Sequence, residues 1–270
     1  RDWTVRAGVG WDHAATPEAG QHEPSEPTDA VALNLRVVRE LGRDAGLHAA
    51  ASRRSRFPSL REAYSGALGR FVVNPELGPE RQDQVEVGGY LRGAGWRLEG
   101  AAFHGRLGDG IERVAIDDNR YQRVNRGRID VPGLELLAGW EPRDALELTV
   151  QHTVLDAHVE DGDTDRPAED RPAYLSRAAA AYAPATGPGA LLEARVTGPR
   201  WSADGTRPDG LRRLPAGVTW HLRLSWSLRA ADRTVEAHLR VDNVFDQHVA
   251  HQTGLPGPGR EVTGGVRARW

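Results

Sequence analysis

The sequence has no cysteine, no methionine and no lysine in 270 residues, so all 35 of its Lys-plus-Arg cations are arginine. Without cysteine there is no disulfide framework, no thiolate metal site and no cysteine nucleophile. The missing lysine accompanies an abundance of Ala, Gly, Arg and Pro, the skew of a GC-rich coding sequence, and says little about function. The missing methionine, with Arg1 in first position, gives the expectation of a processed chain or a piece of a longer one. Strong net charge is also lacking. A formal charge of −3 provides no field for nucleic acid. No apolar run approaches the roughly 18 residues that a spanning helix needs. The longest, Ala178–Ala183, is mostly alanine. Only 39% of residues are hydrophobic, against a usual share of about 45–50% with glycine counted. These shortages exclude a helical membrane protein. They leave open a membrane β-barrel, whose polar lumen face dilutes apolar residues to every second position.

Alternation is what the sequence does have. Val218, Trp220, Leu222, Leu224, Trp226 and Leu228 are separated by Thr219, His221, Arg223, Ser225 and Ser227. A helix would spread these apolar side chains around its circumference, whereas a strand puts them all on one face. Val235–Val241 repeats the pattern. So, with varying regularity, do Trp3–Trp11, Val31–Val37, Leu47–Ser52, Gln84–Arg92, Trp96–Phe103, Leu134–Trp140, Leu146–Val150, Tyr174–Tyr182, Leu192–Val196 and Val262–Trp270. Twelve strands are therefore expected. Their connections alternate in length. The even-numbered strands end in short gaps around Gly42, Gly93–Gly95, Pro142–Asp144, Pro184–Gly189 and Ala230–Asp232, all rich in turn formers. The odd-numbered strands end in long gaps. Outer-membrane barrels sort loops in this way, with short periplasmic turns and long external loops. Trp3, Trp11, Trp140, Tyr174, Tyr182, Trp220 and Trp270 fall near strand ends, where amphipathic rings suit a membrane interface. The expected fold is all-β, an antiparallel up-and-down transmembrane barrel. A soluble β-sandwich is the other architecture that alternation permits.

Four short segments then become familiar. They are Phe57-Pro58-Ser59-Leu60-Arg61-Glu62-Ala63-Tyr64 and Asn74-Pro75-Glu76-Leu77-Gly78-Pro79-Glu80, then Val241-Asp242-Asn243-Val244-Phe245-Asp246 and Pro258-Gly259-Arg260. Their order, with Glu86 in the following strand and Gly133-Leu134-Glu135 at a later strand start, resembles the TonB-dependent outer-membrane receptors. His248 stands where that family commonly has Tyr, and Trp270 where Phe is commoner. Family barrels have about 22 strands and carry an N-terminal plug and a TonB-interacting box. The resemblance therefore implies that residues 1–270 are the C-terminal portion of a larger barrel domain. It also implies uptake of a scarce ligand, such as a ferric siderophore, haem or cobalamin. TonB would act through the missing plug region, and the partners would be outer-membrane lipid and a small-molecule ligand of the iron-chelate or cobalamin class. A self-contained twelve-stranded passive channel is the alternative.

Residues that could carry chemistry are few. The polar strand faces place Arg195, Arg223, Arg240, His221 and His238 toward the lumen, among Arg36, Arg267, Arg269, Glu86, Glu99, Glu147, Glu193 and Glu236. A basic lumen would suit anionic chelates; alternatively the charges pair across strands and only solvate the interior. His248 and His251 could hold a metal, but a solvated loop explains them. Asp161, Asp163 and Asp165 have the spacing of a calcium loop without its downstream glutamate. Asp117-Asp118-Asn119 is read in the same way. Ser225 and Ser227 lie near His221, but no GxSxG element accompanies them. No catalytic, cofactor or metal residue is assigned, and an enzyme is not expected.

Overall fold

The computed structural model describes residues 2–269, except 67–68, 118–119, 163, 208–209 and 231–232. Asp118, Asn119, Asp163, Asp232 and Trp270, each singled out above, lie outside the described residues. Twelve long strands form the wall: β1 (Trp3–Ala14), β2 (Thr28–Glu40), β3 (Ala45–Arg56), β4 (Glu80–Gly93), β5 (Trp96–Gly108), β6 (Arg128–Arg143), β7 (Leu146–Leu155), β8 (Tyr174–Tyr182), β9 (Gly187–Thr197), β10 (Gly217–Ala230), β11 (Arg233–Asp242) and β12 (Glu261–Arg269). They pair antiparallel in chain order, each with its sequence neighbours. The shortest have 9 residues and the longest 16, and about 9–11 tilted residues suffice to cross hydrocarbon. The sheet is open, since β1 and β12 do not pair with each other. A closed twelve-stranded barrel is thus not the arrangement observed.

The register keeps every apolar set on the same side. Val9 lies opposite Leu33, Val85 opposite Ala51, and Leu224 opposite both Ala190 and Leu239. These side chains point away from the concave face and are uncovered: Val9 is 78% exposed, Trp11 67%, Leu228 62% and Val266 73%. Among the described residues, the buried apolar side chains are Ala30, Ala63, Leu77, Ala157, Val159, Ala168 and Leu214. All lie at strand ends or in loops. A soluble sandwich would pack its apolar strand faces together, so that alternative is overturned. An exposed apolar surface this extensive belongs against another apolar phase. Trp3, Trp96, Trp140, Tyr182 and Trp226 share this outer face at the short-turn end, and Trp11, Tyr174 and Trp220 at the long-loop end. At the short-turn end the Arg39 guanidinium sits 5.1 Å from the centre of the Trp3 ring.

Among the described residues the short turns cover 41–44, 94–95, 144–145 and 183–186. They are tighter than the sequence suggests, because Gly93, Pro142 and Gly187–Gly189 are already strand. Gly42, Gly95, Ala145 and Gly187 turn the chain with φ of 87°, 73°, 64° and 88°, a region that glycine enters without steric cost. A bulge in β6 between Trp140 and Arg143 accompanies the 144–145 turn. Gly133 of the Gly-Leu-Glu segment is required by close approach: a Cβ there would meet the Phe103 ring at 2.3 Å.

The two faces differ in tolerance to charge. We expect Leu224→Arg, on the apolar face, to cost about 2–4 kcal/mol. Arg223→Leu, one residue along on the concave face, should cost within about 1 kcal/mol, the scale of a solvated ion pair. Urea titration of the full-length protein folded into lipid vesicles measures both, and equal costs would contradict the assignment of faces.

Candidate functional site

The concave face of β8–β11 gathers the five lumen candidates into one network. Arg177 lies directly opposite Arg195, and Arg223 opposite Arg240. Like charges so placed repel, and neighbouring carboxylates on the same face offset each pair. Glu193, only 4% exposed, accepts from Arg177 at 2.6 Å and also from Arg195. Arg240 donates to both oxygens of Asp242, at 2.7 and 2.8 Å. Arg223 reaches Glu236 at 2.6 Å. His221 bridges Thr219 and Asp242, at 3.0 and 2.7 Å. His238 stands 4.0 Å from Glu236, and its Nδ1 is buried without a hydrogen-bond partner. The geometry therefore brings all five together, with each arginine already holding a carboxylate.

A second feature of the same face was not singled out as a site from the sequence. Arg36, His48, Glu86, Glu99, Glu135 and Gln151 line a recess of about 450 Å³ over β2–β7. His48 bonds Glu86 at 2.9 Å across adjacent strands. The inward parity of Glu86 and Glu99 was legible. Their convergence required the stagger of six strands.

The long loops are built, and the family-like segments are what build them. Ser59 caps the short helix Leu60–Tyr64 and exchanges hydrogen bonds with Glu62 in a capping box. Arg56, at the end of β3, donates to Glu62 at 2.9 Å and to Glu80 at 2.6 Å. Glu80 in turn accepts from the Ile111 amide at 2.8 Å. Asn74 donates to the Arg123 carbonyl and Asn125 to that of Gly78, which ties loop 57–79 to the hairpin of Ile111–Ala115 and Tyr121–Asn125. Leu77 is buried between them. At the other end of the wall, Asn243 donates to the carbonyls of Gln247 and Pro258, and Asp246 accepts from the Arg260 amide. The segments that resemble the family thus act as clamps at loop bases.

Loops 156–173, 198–216 and 243–260 converge on Arg200, which is 3% exposed. It stands in a hairpin of Arg200–Ala203 and Leu211–Leu214. Its guanidinium donates to the carbonyls of His251 (3.0 Å), Gly198 (3.5 Å) and Ala250. Burial pulls its pKa below the usual arginine value, and nearby Asp170 opposes that shift. Ser202 accepts from the Thr253 amide at 2.9 Å, Asp170 from Gln252 at 2.9 Å, and the Trp201 carbonyl from the Asp170 amide at 2.7 Å. Nothing in the spacing of these residues signals the clasp, because its acceptors are backbone carbonyls.

The remaining candidates stay apart. His248 and His251 are exposed, and His251 contributes its carbonyl to Arg200. Asp161 pairs with Arg126, Asp165 with His158, and Asp117 with Arg120. Among the described residues no group of three or more His, Asp or Glu could hold a metal ion. Ser225 lies opposite His238 rather than against His221.

Comparison with known proteins now decides the family. A model of the TonB-dependent receptor-like β-barrel matches residues 1–244. The chain belongs to that family. These are receptors and transporters, not enzymes, and this barrel wall resides in the bacterial outer membrane. No curated protein matches the sequence. Several solved structures share the fold. The FrpB iron transporter from Neisseria meningitidis (F5-1 variant) superposes with a TM-score of 0.80 at 17% identity, over 98% of this chain and 43% of that one. The ferric-catecholate import receptor Fiu from E. coli K12 gives 0.72 at 17%, over 99% and 42%. The copper transporter OprC gives 0.75 at 18%, over 98% and 45%. The chain thus spans less than half the length of these proteins.

Two tests follow from the loops. Arg56 first, then the Ser59 donors, hold the Glu62 carboxyl at a pKa of about 2, from an ordinary 4.5, against the opposing effect of burial. A depressed acid stabilises above its unfolded pKa and loses that contribution as pH falls through its folded one. Loop 57–79 should therefore loosen between about pH 4.5 and 2, and Glu62→Gln should remove that pH dependence. Hydrogen exchange in the Leu60–Tyr64 segment reads both. Arg200→Met leaves buried carbonyls without donors, at about 1–3 kcal/mol each. It should raise hydrogen exchange in residues 200–203 and 250–253 while β9 and β10 stay protected.

Proposed function

We propose that this chain is the C-terminal twelve-strand portion of the barrel domain of a receptor that takes up a scarce small molecule across the outer membrane. The ligand class is an iron chelate or a cobalamin-like compound, and TonB supplies the energy through a plug region outside this chain. One observation carries the reading: in a chain of this family, a polar concave wall leads up to long loops clamped into ordered units at one end. Ordered loops on a rigid wall are where capture groups belong. The lumen arginines Arg195, Arg223 and Arg240, with His221 and His238, are the wall positions offered to an anionic ligand. Each holds a carboxylate that must be shared or displaced as the ligand enters. The structural relatives include iron importers and a copper transporter, which supports a metal-bearing substrate.

The test is uptake by cells carrying the full-length receptor. Radiolabelled ferric chelates and cobalamin, supplied one at a time, should show accumulation of one compound that disappears in a strain without TonB. The double variant Arg223→Gln/Arg240→Gln should lower the uptake rate with surface abundance unchanged. Accumulation independent of TonB, together with steady ion conductance in planar bilayers, would instead establish a passive channel.

A further inference from the structure

The outer face of β3–β6 changes character toward the long-loop end. Val85, Val87, Leu98, Leu134 and Leu136 form its apolar belt. Immediately above, register neighbours on four adjacent strands run Arg53, Asp83, Arg106, Asp130 and continue to His158 in the loop strand His158–Asp161. The next row up carries Arg81, Arg128 and, opposite Arg128, Glu160. Asp130 and Asp83 lie deep and the arginines shallow, while Glu160, paired with Arg128, is as exposed as they are. Asp130 is 14% exposed and Asp83 33%, while the four arginines range from 41% to 51%. Asp130 accepts from Arg106 and His104 at 2.8 Å and from Arg128 at 2.6 Å. Asp83 takes a two-pronged contact from Arg53, at 2.6 and 3.0 Å, with Arg81 at 3.6 Å. The Nη donors of Arg81 and Arg106 make no hydrogen bond within the described residues.

We propose that this patch docks the phosphate groups of outer-leaflet lipid headgroups. Its height fixes the partner. It begins where the apolar belt ends, on the face that meets lipid, so what stands beside it is a headgroup. Its chemistry fixes the group recognised. Guanidinium forks match phosphate oxygens two at a time, and Asp83 and Asp130 hold the forks in place beforehand, which lowers the ordering cost of binding. The patch is local. At the same level on β8–β10 the outward residues are Tyr174, Ser176, Val196 and Val218, none of them charged. The inference requires only that this face meets lipid. It does not depend on what the receptor carries, so uptake and lipid docking can fail separately.

The experiment uses the full-length receptor purified in an uncharged detergent. Native mass spectrometry compares retention of short-chain phosphatidic acid with that of phosphatidylcholine of the same chain length. The expected result is preferential retention of phosphatidic acid, reduced about thirtyfold in Arg81→Gln/Arg106→Gln, the worth of two arginines at an anionic lipid surface. The melting temperature in detergent should not change. Arg81→Gln alone, which removes only a 3.6 Å contact, covers the case in which the double variant fails to fold, and a several-fold loss there has the same meaning. Equal retention of the two lipids would overturn the proposal. So would binding of inorganic phosphate as tight as that of phosphatidic acid, which would mark a site for free ions. A patch-dependent dimer that excludes lipid would also overturn it.

Discussion

In hydrocarbon a backbone amide has no water to turn to, and the rest of this structure follows from that constraint. Every strand between β2 and β11 meets it by pairing on both sides, over lengths that match the membrane. Once the ladder is fixed, period two leaves each residue type a single choice of face. Valine, leucine and tryptophan go out to lipid, while arginine, glutamate and histidine go in. The inward cations then crowd each other. Arg177 against Arg195 and Arg223 against Arg240 are tolerable because Glu193, Asp242 and Glu236 lie within reach along the same face. The lumen's charge pattern is thus a consequence of the ladder as much as of any ligand.

Above the membrane the constraint relaxes and the chain solves a different problem. The long loops have water available, and beyond small apolar clusters such as Ala157, Val159 and Ala168 they bury little. They hold shape by directing side chains at backbone groups: Asn74, Asn125, Asn243 and Arg200 each satisfy carbonyls of a neighbouring loop segment or of their own. Two of these fasteners, Asn74 and Asn243, belong to segments that look like family signatures in the sequence.

The wall was almost wholly legible. Alternation located all twelve strands, and the loop parity gave their order. What it missed were the strand ends. Arg53, Asp83, Arg106 and Asp130 break the apolar pattern although the ladder continues through them, because the sheet outlasts the hydrocarbon. The five lumen candidates share the concave face. Which carboxylate each arginine holds is not set by parity alone, since the partner lies on its own strand or displaced along the adjacent one. The loop hairpins were invisible to periodicity. At four or five residues a strand is too short to show a period, and Arg200 reads as an ordinary surface arginine until three loops close over it.

That one arginine has a mechanical consequence. Loops 156–173, 198–216 and 243–260 leave the wall at separate points, yet His251, Ala250 and Gly198 all accept from Arg200, and Asp170 and Thr253 fasten to its hairpin. Arg200 ties loop 243–260 to its own hairpin, and Asp170 ties loop 156–173 to both, so three chains are cross-linked around one hairpin. The rim over β7–β12 therefore has fewer independent motions than its topology alone would allow. Any object that pushes on one of these loops moves all of them, and a cargo arriving at this side of the mouth meets a single stiff jaw rather than three independent fingers.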